Sequence, residues 1–177
     1  PLNSIIGFTG ILLQGLVGPL NDEQRKQLQM VRTSANHLLS LISDVLDISK
    51  IEAGQLQISR ETFDLRATIA KLVPTLRPVI EMKGLKLTVD IAPEVGALYS
   101  DARRVEQVIL NLLSNAVKFT EAGSISVSCT LAGENYLLRV ADTGIGIKKE
   151  HLDEMFSPFR QIDTGVNRKY EGTGLGL

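Results

Sequence analysis

The chain holds a single cysteine, Cys129, in 177 residues. One thiol excludes a disulfide framework and a cysteine-rich zinc site, and leaves Cys129 to be read as a small apolar core residue. Two histidines, His37 and His151, form no ligand pair, which argues further against zinc. No apolar run approaches the ~20 residues that a membrane-spanning helix needs, and no signal peptide is evident. The expectation is a soluble, cytoplasmic piece, with any membrane helices confined to other parts of a longer parent. Neither sign of charge dominates, with 19 basic and 20 acidic residues and a formal net charge of −1. That balance provides no field for nucleic acid and none of the acidic excess of a disordered chain. Internal repeats and low-complexity tracts are absent as well. What is present is 44% hydrophobic content, enough to bury a core in one or two domains.

The first third reads as two helices. From Pro1 to about Val17, Ile5, Phe8, Leu12, Leu13 and Leu16 recur at helical spacing, weakened by Gly7, Gly10 and Gly15 and stopped by Gly18-Pro19. Asn21 has the character of an N-cap, with Gln24 as its capping-box partner. The helix it opens is expected to reach about Ala53. Along it Leu28, Val31, Ala35, Leu38, Ile42 and Val45 form a heptad seam, which Leu39 and Leu46 widen. Two helices with such broad stripes cannot bury everything against each other. A second copy completing a four-helix bundle would, so the pattern predicts a homodimer, the alternative being a helical subdomain packed on the rest of the chain.

Gly54 ends the hairpin, and the pattern changes to mixed helix and strand. A helix is expected from Phe63 to Met82, opened by Asp64 and disturbed by Pro74 and Pro78. Leu85, Leu87, Val89 and Ile91 alternate with polar residues as a strand does. A second helix spans Asp101 to Lys118 with Val105, Val108, Ile109, Leu112 and Ala116 inward. Ile125, Val127, Cys129 and Leu131 alternate in a further strand, and a turn at Gly133-Glu134-Asn135 leads to Tyr136, Leu138 and Val140 in an antiparallel neighbour. The fold class that follows is α+β, a helical hairpin and then a sandwich of helices on one face of a sheet.

Four clusters in the second segment carry chemistry. Asn111, Asn115 and Lys118 in NLLSNAVKF share one side of a helix. Amide oxygens are hard donors that suit Mg²⁺ together with phosphate, and a lysine one turn on can meet phosphate charge. In DTGIGI, Asp142 continues the inward parity of Leu138 and Val140. A carboxylate there needs partners, and a purine amino group is one. Gly144 and Gly146 permit positive φ and close approach of backbone to a ligand. Phe156-Ser-Pro-Phe159, followed by Arg160-Gln161-Ile162-Asp163, can staple a loop. The polar segment from Asp163 to Glu171, with Arg168 and Lys169, is a candidate lid. Beyond it Gly172, Gly174 and Gly176 offer backbone N–H groups to phosphate. No strand leads into these glycines and no βαβ unit surrounds them, so they do not fit a dinucleotide fingerprint. Each cluster alone is also compatible with a solvated helix face, a strand-ending turn, core packing or a surface loop. Their order and spacing decide.

In that order the chain resembles the histidine kinases of two-component systems. NLLSNAVKFT resembles the family's N box, DTGIGI the first glycine box, FSPFRQ the F box and GTGLGL the second glycine box. PLNSIIGF is similar to the tail of the H box, and SKIEAG to the end of the second hairpin helix. The resemblance covers essentially the whole chain. It implies a dimerisation hairpin over residues 1–54, a linker over 55–62 and a Bergerat-type ATP-binding domain over 63–177. By the same resemblance Asn115 ligates Mg²⁺, Asn111 supports the metal and the phosphates, and Lys118 contacts phosphate. Phe119 lies against adenine, and Asp142 accepts from its amino group. Gly144 and Gly146 shape the base pocket. Gly172, Thr173, Gly174 and Gly176 anchor the lid at the phosphates, with Arg168 in the lid. ATP and Mg²⁺ are the implied ligands, and a response regulator receiver domain the implied partner; nucleic acid is not.

Departures accompany the match. The family's phosphorylated histidine lies five positions before the residue matching Pro1, so it is absent from this sequence. His37 and His151 are read as surface or packing residues and do not replace it. The sequence also stops inside the second glycine box, which leaves the ATP-binding domain incomplete at its C-terminus. The expectation is a part of a parent kinase, with no autophosphorylation by this piece alone. Related ATPases share the sandwich but usually carry a glutamate general base where Asn111 stands, and an amide is no base. That favours phosphoryl transfer over hydrolysis. A non-catalytic dimerisation or docking module is the competing class, against which the intact N and first glycine boxes speak.

Overall fold

The computed structural model describes residues 1–152. The chain divides into two compact units, Pro1–Leu56 and a second beginning at Gln57. The first is a hairpin of α1 (Leu2–Leu13) and α2 (Asp22–Glu52). Asn21 caps α2 as the sequence predicts: its Oδ1 accepts from Gln24 N–H at 2.8 Å, and Gln24 Oε1 accepts from Asn21 N–H at 3.0 Å. Both ends of the box therefore satisfy helix-terminal donors that would otherwise stay unpaired. At the other end Gly54, at φ +64°, lets Gln55 N–H reach the Lys50 carbonyl at 2.8 Å. That is the left-handed glycine stop of a Schellman turn.

The same device ends α1 earlier than expected. Gly15 sits at φ +74°, Gly15 N–H donates to Leu12 O at 3.0 Å and Leu16 N–H to Ile11 O at 3.4 Å. Gly15, rather than Gly18-Pro19, is thus the stop, because only a residue without Cβ enters that conformation at no steric cost. Within the hairpin only Thr9 and Ala35 are buried. Along the predicted seam Ile42 is 44% exposed and Leu38 48%. One copy leaves its apolar stripe open to water.

The second unit comprises β1 (Glu61–Asp64), α3 (Leu65–Met82), β2 (Lys86–Ile91), β3 (Ala97–Ser100), α4 (Ala102–Phe119), β4 (Ser124–Ala132) and β5 (Asn135–Asp142). Strands β2, β4 and β5 form one sheet, with β4 central, parallel to β2 and antiparallel to β5. β1 and β3 form a separate antiparallel ribbon. The sheet is therefore mixed. β4 follows β2 only after β3 and α4, and a connection of that length returns the chain in parallel. β5 follows β4 across Gly133-Glu134 alone, since Asn135 already pairs with Ala132.

α3 and α4 bury Ile69, Leu72, Val73, Ile109 and Leu113 against Val127 and Cys129 of β4, which is the helices-on-one-face packing expected. Cys129 is wholly buried, and burial raises its thiol pKa. A second cluster joins Ile80, Leu85, Ala116, Val117 and Ile125. Three local expectations fail, the first in α4, where Val108, expected inward, is exposed and Leu113 is buried instead. Phe63 lies in β1, not in α3, because Asp64 is the N-cap: its Oδ1 accepts from Ala67 N–H at 3.0 Å. Pro74 and Pro78 sit inside an unbroken α3. Both face solvent, as does Ala70, so the carbonyls their missing N–H groups leave open at Ala70 and Pro74 lie on the wet side of the helix.

Asp101 caps α4 and ties it to the chain before β1. Its Oδ1 accepts from Arg104 N–H at 3.1 Å and its Oδ2 from Ser59 N–H at 3.0 Å. The Arg104 bond first, then the Ser59 bond, hold this carboxyl below its ordinary value of 3.8. A depressed carboxylate pKa stabilises the fold fully above the unfolded value and loses that contribution as pH falls through the folded one. In acid titrations, the stability gap between wild type and Asp101→Ala should stay constant above roughly pH 4 and narrow below pH 3.8. A gap independent of pH down to acid unfolding contradicts this assignment.

Candidate functional site

The site forms where the last turns of α4 meet the segment leaving β5. α4 turns Ile109, Leu113, Ala116 and Val117 into the core. That fixes its opposite flank, and Asn111, Asn115, Lys118 and Phe119 all come out half-buried. Asn111 and Asn115 are one turn apart, so their amides face the same way. Burial lowers the Lys118 pKa from 10.5, and its Nζ stands 5.1 Å from the centroid of the Phe119 ring. A cation already short of water gains from an arriving anion.

Asp142 ends β5 opposite Ile125, a fully buried residue, so the predicted inward parity holds. Its side chain is nevertheless exposed, because the sheet ends there. Oδ1 accepts from Gly144 N–H at 2.9 Å, which sets the carboxylate's direction. A carboxylate has further acceptor sites beyond that one.

The two glycines of this segment do different jobs. A Cβ on Gly144 would stand 2.4 Å from the Phe119 carbonyl oxygen and 2.8 Å from Asp142 Oδ1. Gly146 has open space around it but a φ of +66°. Close approach is the reason at Gly144, and conformation is the reason at Gly146. Between them Ile145 N–H donates to the Phe119 carbonyl at 3.3 Å. The end of the N-box helix and the glycine-box segment are thus one hydrogen-bonded junction.

Thr143 locks that junction to the start of β4. Its Oγ1 accepts from Ser124 N–H at 2.9 Å, while its own N–H donates to Ser124 O at 3.1 Å. Gly123, at φ +111°, leaves the space the Thr143 hydroxyl occupies. The role of Thr143 was not legible in the sequence, because its partners lie 19 residues away. Nor was that of Lys83, whose Nζ reaches the carbonyls at the end of α4.

Gly144, Asp142 and Phe119 are brought together, with Lys118 on the adjoining turn. Arg168, Gly172, Thr173, Gly174 and Gly176, like the Phe156–Phe159 pair, lie outside the described residues. His37 is exposed on α2, and His151 stands half-buried in a short turn after the junction, 3.7 Å from Glu150 Oε1. Among the described residues no cluster of histidine, cysteine and carboxylates suits a metal, and no helix is long and apolar enough to cross a membrane. Amide oxygens of α4 are the hard donors that the junction offers.

Comparison with known proteins gives two matches in chain order. Residues 1–54 match the family model of the His Kinase A (phospho-acceptor) domain. Residues 100–177 match that of the histidine kinase-, DNA gyrase B-, and HSP90-like ATPase. A sensor-like histidine kinase of Rhizobium meliloti is 41% identical over all of this chain, which spans 34% of that relative. The signal transduction histidine-protein kinase BarA of Escherichia coli is 40% identical over all of this chain, which spans 20% of it. The chain therefore spans about a third or less of these relatives' length. Among solved structures, full-length ShkA in complex with AMPPNP superposes with a TM-score of 0.75 at 30% identity, covering 99% of this chain and 36% of ShkA. The histidine kinase AdeS of Acinetobacter baumannii gives 0.64 at 28% identity, covering 89% of this chain and 78% of AdeS. With a phospho-acceptor hairpin followed by a kinase-type ATPase fold, the chain belongs to the family of two-component sensor histidine kinases.

Proposed function

We propose that this chain is the core through which its parent protein binds ATP with Mg²⁺, transfers the γ-phosphate to a histidine of the hairpin, and passes it on to an aspartate of a response regulator. The observation that carries the reading is the junction of Phe119, Gly144 and Asp142. It aims a carboxylate with spare acceptor sites beside a helix flank bearing two amides and an ammonium. In this reading Asp142 accepts from the adenine amino group and the Phe119 ring lies against the base. Gly144 and Gly146 give the base pocket its shape. Lys118 meets phosphate charge. Asn115 holds Mg²⁺ and Asn111 supports it; hard amide oxygens fit that ion, which neutralises charge on the phosphates when bound. By the family resemblance Gly172, Thr173, Gly174 and Gly176 would anchor a lid at the phosphates, with Arg168 in that lid.

The residues of this chain supply position and electrostatics, which is what phosphoryl transfer requires of a protein. Asn111 offers an amide where an ATPase needs a base, which supports transfer to a side chain over transfer to water. The exposed seam of α2 supports a homodimer through the hairpin, since a second copy would remove Leu38, Ile42 and Val45 from water. The reading places the core in the cytoplasm.

The test is incubation of the full-length protein with γ-labelled ATP and Mg²⁺. Acid-labile, alkali-stable label is expected on the wild type. Asn115→Ala should lower labelling at least about 100-fold, the scale seen when one preorganised charge-stabilising group is removed. Absence of label on a wild type that still binds ATP would turn the assignment toward a docking module.

A further inference from the structure

α4 ends unlike the other helices. α1, α2 and α3 all stop at a left-handed glycine, Gly15, Gly54 and Gly84. Thr120, which ends α4, is extended at φ −104° and ψ 116°. A helix that stops this way leaves its last carbonyls without the backbone partners a Schellman turn supplies. Here the partners come from elsewhere. Lys83 Nζ donates to Val117 O at 2.6 Å, Thr120 O at 3.2 Å and Lys118 O at 3.4 Å. An ammonium has three protons, and three carbonyls take them. The charge also sits at the negative end of the helix dipole. The carbonyl left over, that of Phe119, takes Ile145 N–H at 3.3 Å.

Lys83 is itself firmly based. It is the C-cap of α3, and its N–H donates to Val79 O at 3.1 Å. The next two residues close the Schellman turn, Gly84 N–H to Glu81 O at 2.9 Å and Leu85 N–H to Ile80 O at 3.0 Å. Leu85 and Ile80 are both buried in the cluster that holds Ala116 and Val117. The anchor and the turn it holds therefore share one piece of core.

We infer that Lys83 is a positioning residue for the nucleotide site. Resting on the nucleotide reading above, it acts by clamping the last turn of α4 so that the Phe119 carbonyl faces Ile145 and Gly144, and through them sets Asp142. Lys83 touches neither nucleotide nor metal in this account. Its influence runs through backbone alone.

The test substitutes Lys83→Met in the full-length protein, keeping a long apolar stem and removing the donors. ATP affinity should fall about tenfold, and affinity for adenosine, which lacks phosphates, by the same factor. In the nucleotide-free protein, hydrogen exchange at the Ile145 amide should speed up about tenfold or more, because its acceptor is no longer held. Thr120→Val is the control for a merely weakened helix end. It removes the bond from Thr120 Oγ1 to Ala116 O at 2.7 Å and leaves the clamp in place. It should lower the melting temperature and leave Ile145 exchange and adenosine affinity alone. If Lys83→Met behaves like that control, Lys83 is a helix cap and nothing more, and the inference is overturned. Loss of ATP affinity with adenosine affinity intact overturns it as well, since the effect is then one of charge on phosphate. If the wild type binds no nucleotide while Ile145 exchange still responds to Lys83→Met, the clamp stands and the nucleotide reading falls.

Discussion

Gly144→Ala is expected to weaken ATP binding about 100-fold or more, the scale on which a displacement of about 1 Å disables a site. The added methyl would meet the Phe119 carbonyl carbon at 2.9 Å and its oxygen at 2.4 Å. Neither is a flexible side-chain tip that can swing aside. The Phe119 carbonyl is anchored by Ile145 N–H, and its neighbours by Lys83. The glycine segment must therefore move, and the Asp142 carboxylate, bound through Oδ1 to Gly144 N–H, moves with it. Overpacking of this kind costs about 1–3 kcal/mol of stability, so the variant should still fold. Gly146→Ala is the comparison, with open space but a φ of +66°. It should show strain of about 1–2 kcal/mol, with a smaller loss of affinity. Titration calorimetry on both, with circular dichroism as a check on folding, decides the matter. Equal affinities for wild type and Gly144→Ala would remove the junction from the site.

Asp142→Asn should also lower ATP affinity about 100-fold, and without disturbing the fold. The Asn carbonyl oxygen can keep the bond to Gly144 N–H that Asp142 Oδ1 makes at 2.9 Å. Its amide nitrogen then occupies the direction that the second carboxylate oxygen had. A donor would face the purine amino group, itself a donor, where an acceptor is needed. The discriminating measurement compares ATP with a nucleotide whose base carries a carbonyl in place of the amino group. The wild type should prefer the amino base, and Asp142→Asn should lose or reverse that preference. An unchanged preference would mean that Asp142 serves the turn and not the base.

These two predictions sit on different parts of what could be read in advance. DTGIGI announced a glycine-shaped turn behind a carboxylate, because residue types at fixed offsets are a local property. That Gly144 owes its place to Phe119 and Gly146 to its own φ was not visible, since a sequence shows a missing Cβ but not what would collide with it. The capping box at Asn21 and Gln24 was legible for the same local reason, as was α4 itself, although its buried stripe runs through Leu113 and not through Val108, which is 55% exposed. The end of α1 was misplaced because three glycines compete there, and only backbone geometry chooses among them. Pro74 and Pro78 were expected to disturb α3, but the cost depends on which way the freed carbonyls face, and here that is toward water.

By itself the sequence determined the hairpin with its heptad seam, the helices that cover one face of the sheet, the three strands of that sheet but not β1 or β3, and the boxes that mark the family. All of these rest on periodicity, caps and spacing within about twenty residues. Tertiary structure alone decided the rest. It set β2 parallel to β4, paired β1 with β3, and brought Thr143 to Ser124 and Lys83 to the end of α4. Such contacts join segments far apart in the chain, and their energies depend on partners that no local pattern names. The site's residue types are written in the sequence, whereas their aim is a product of packing.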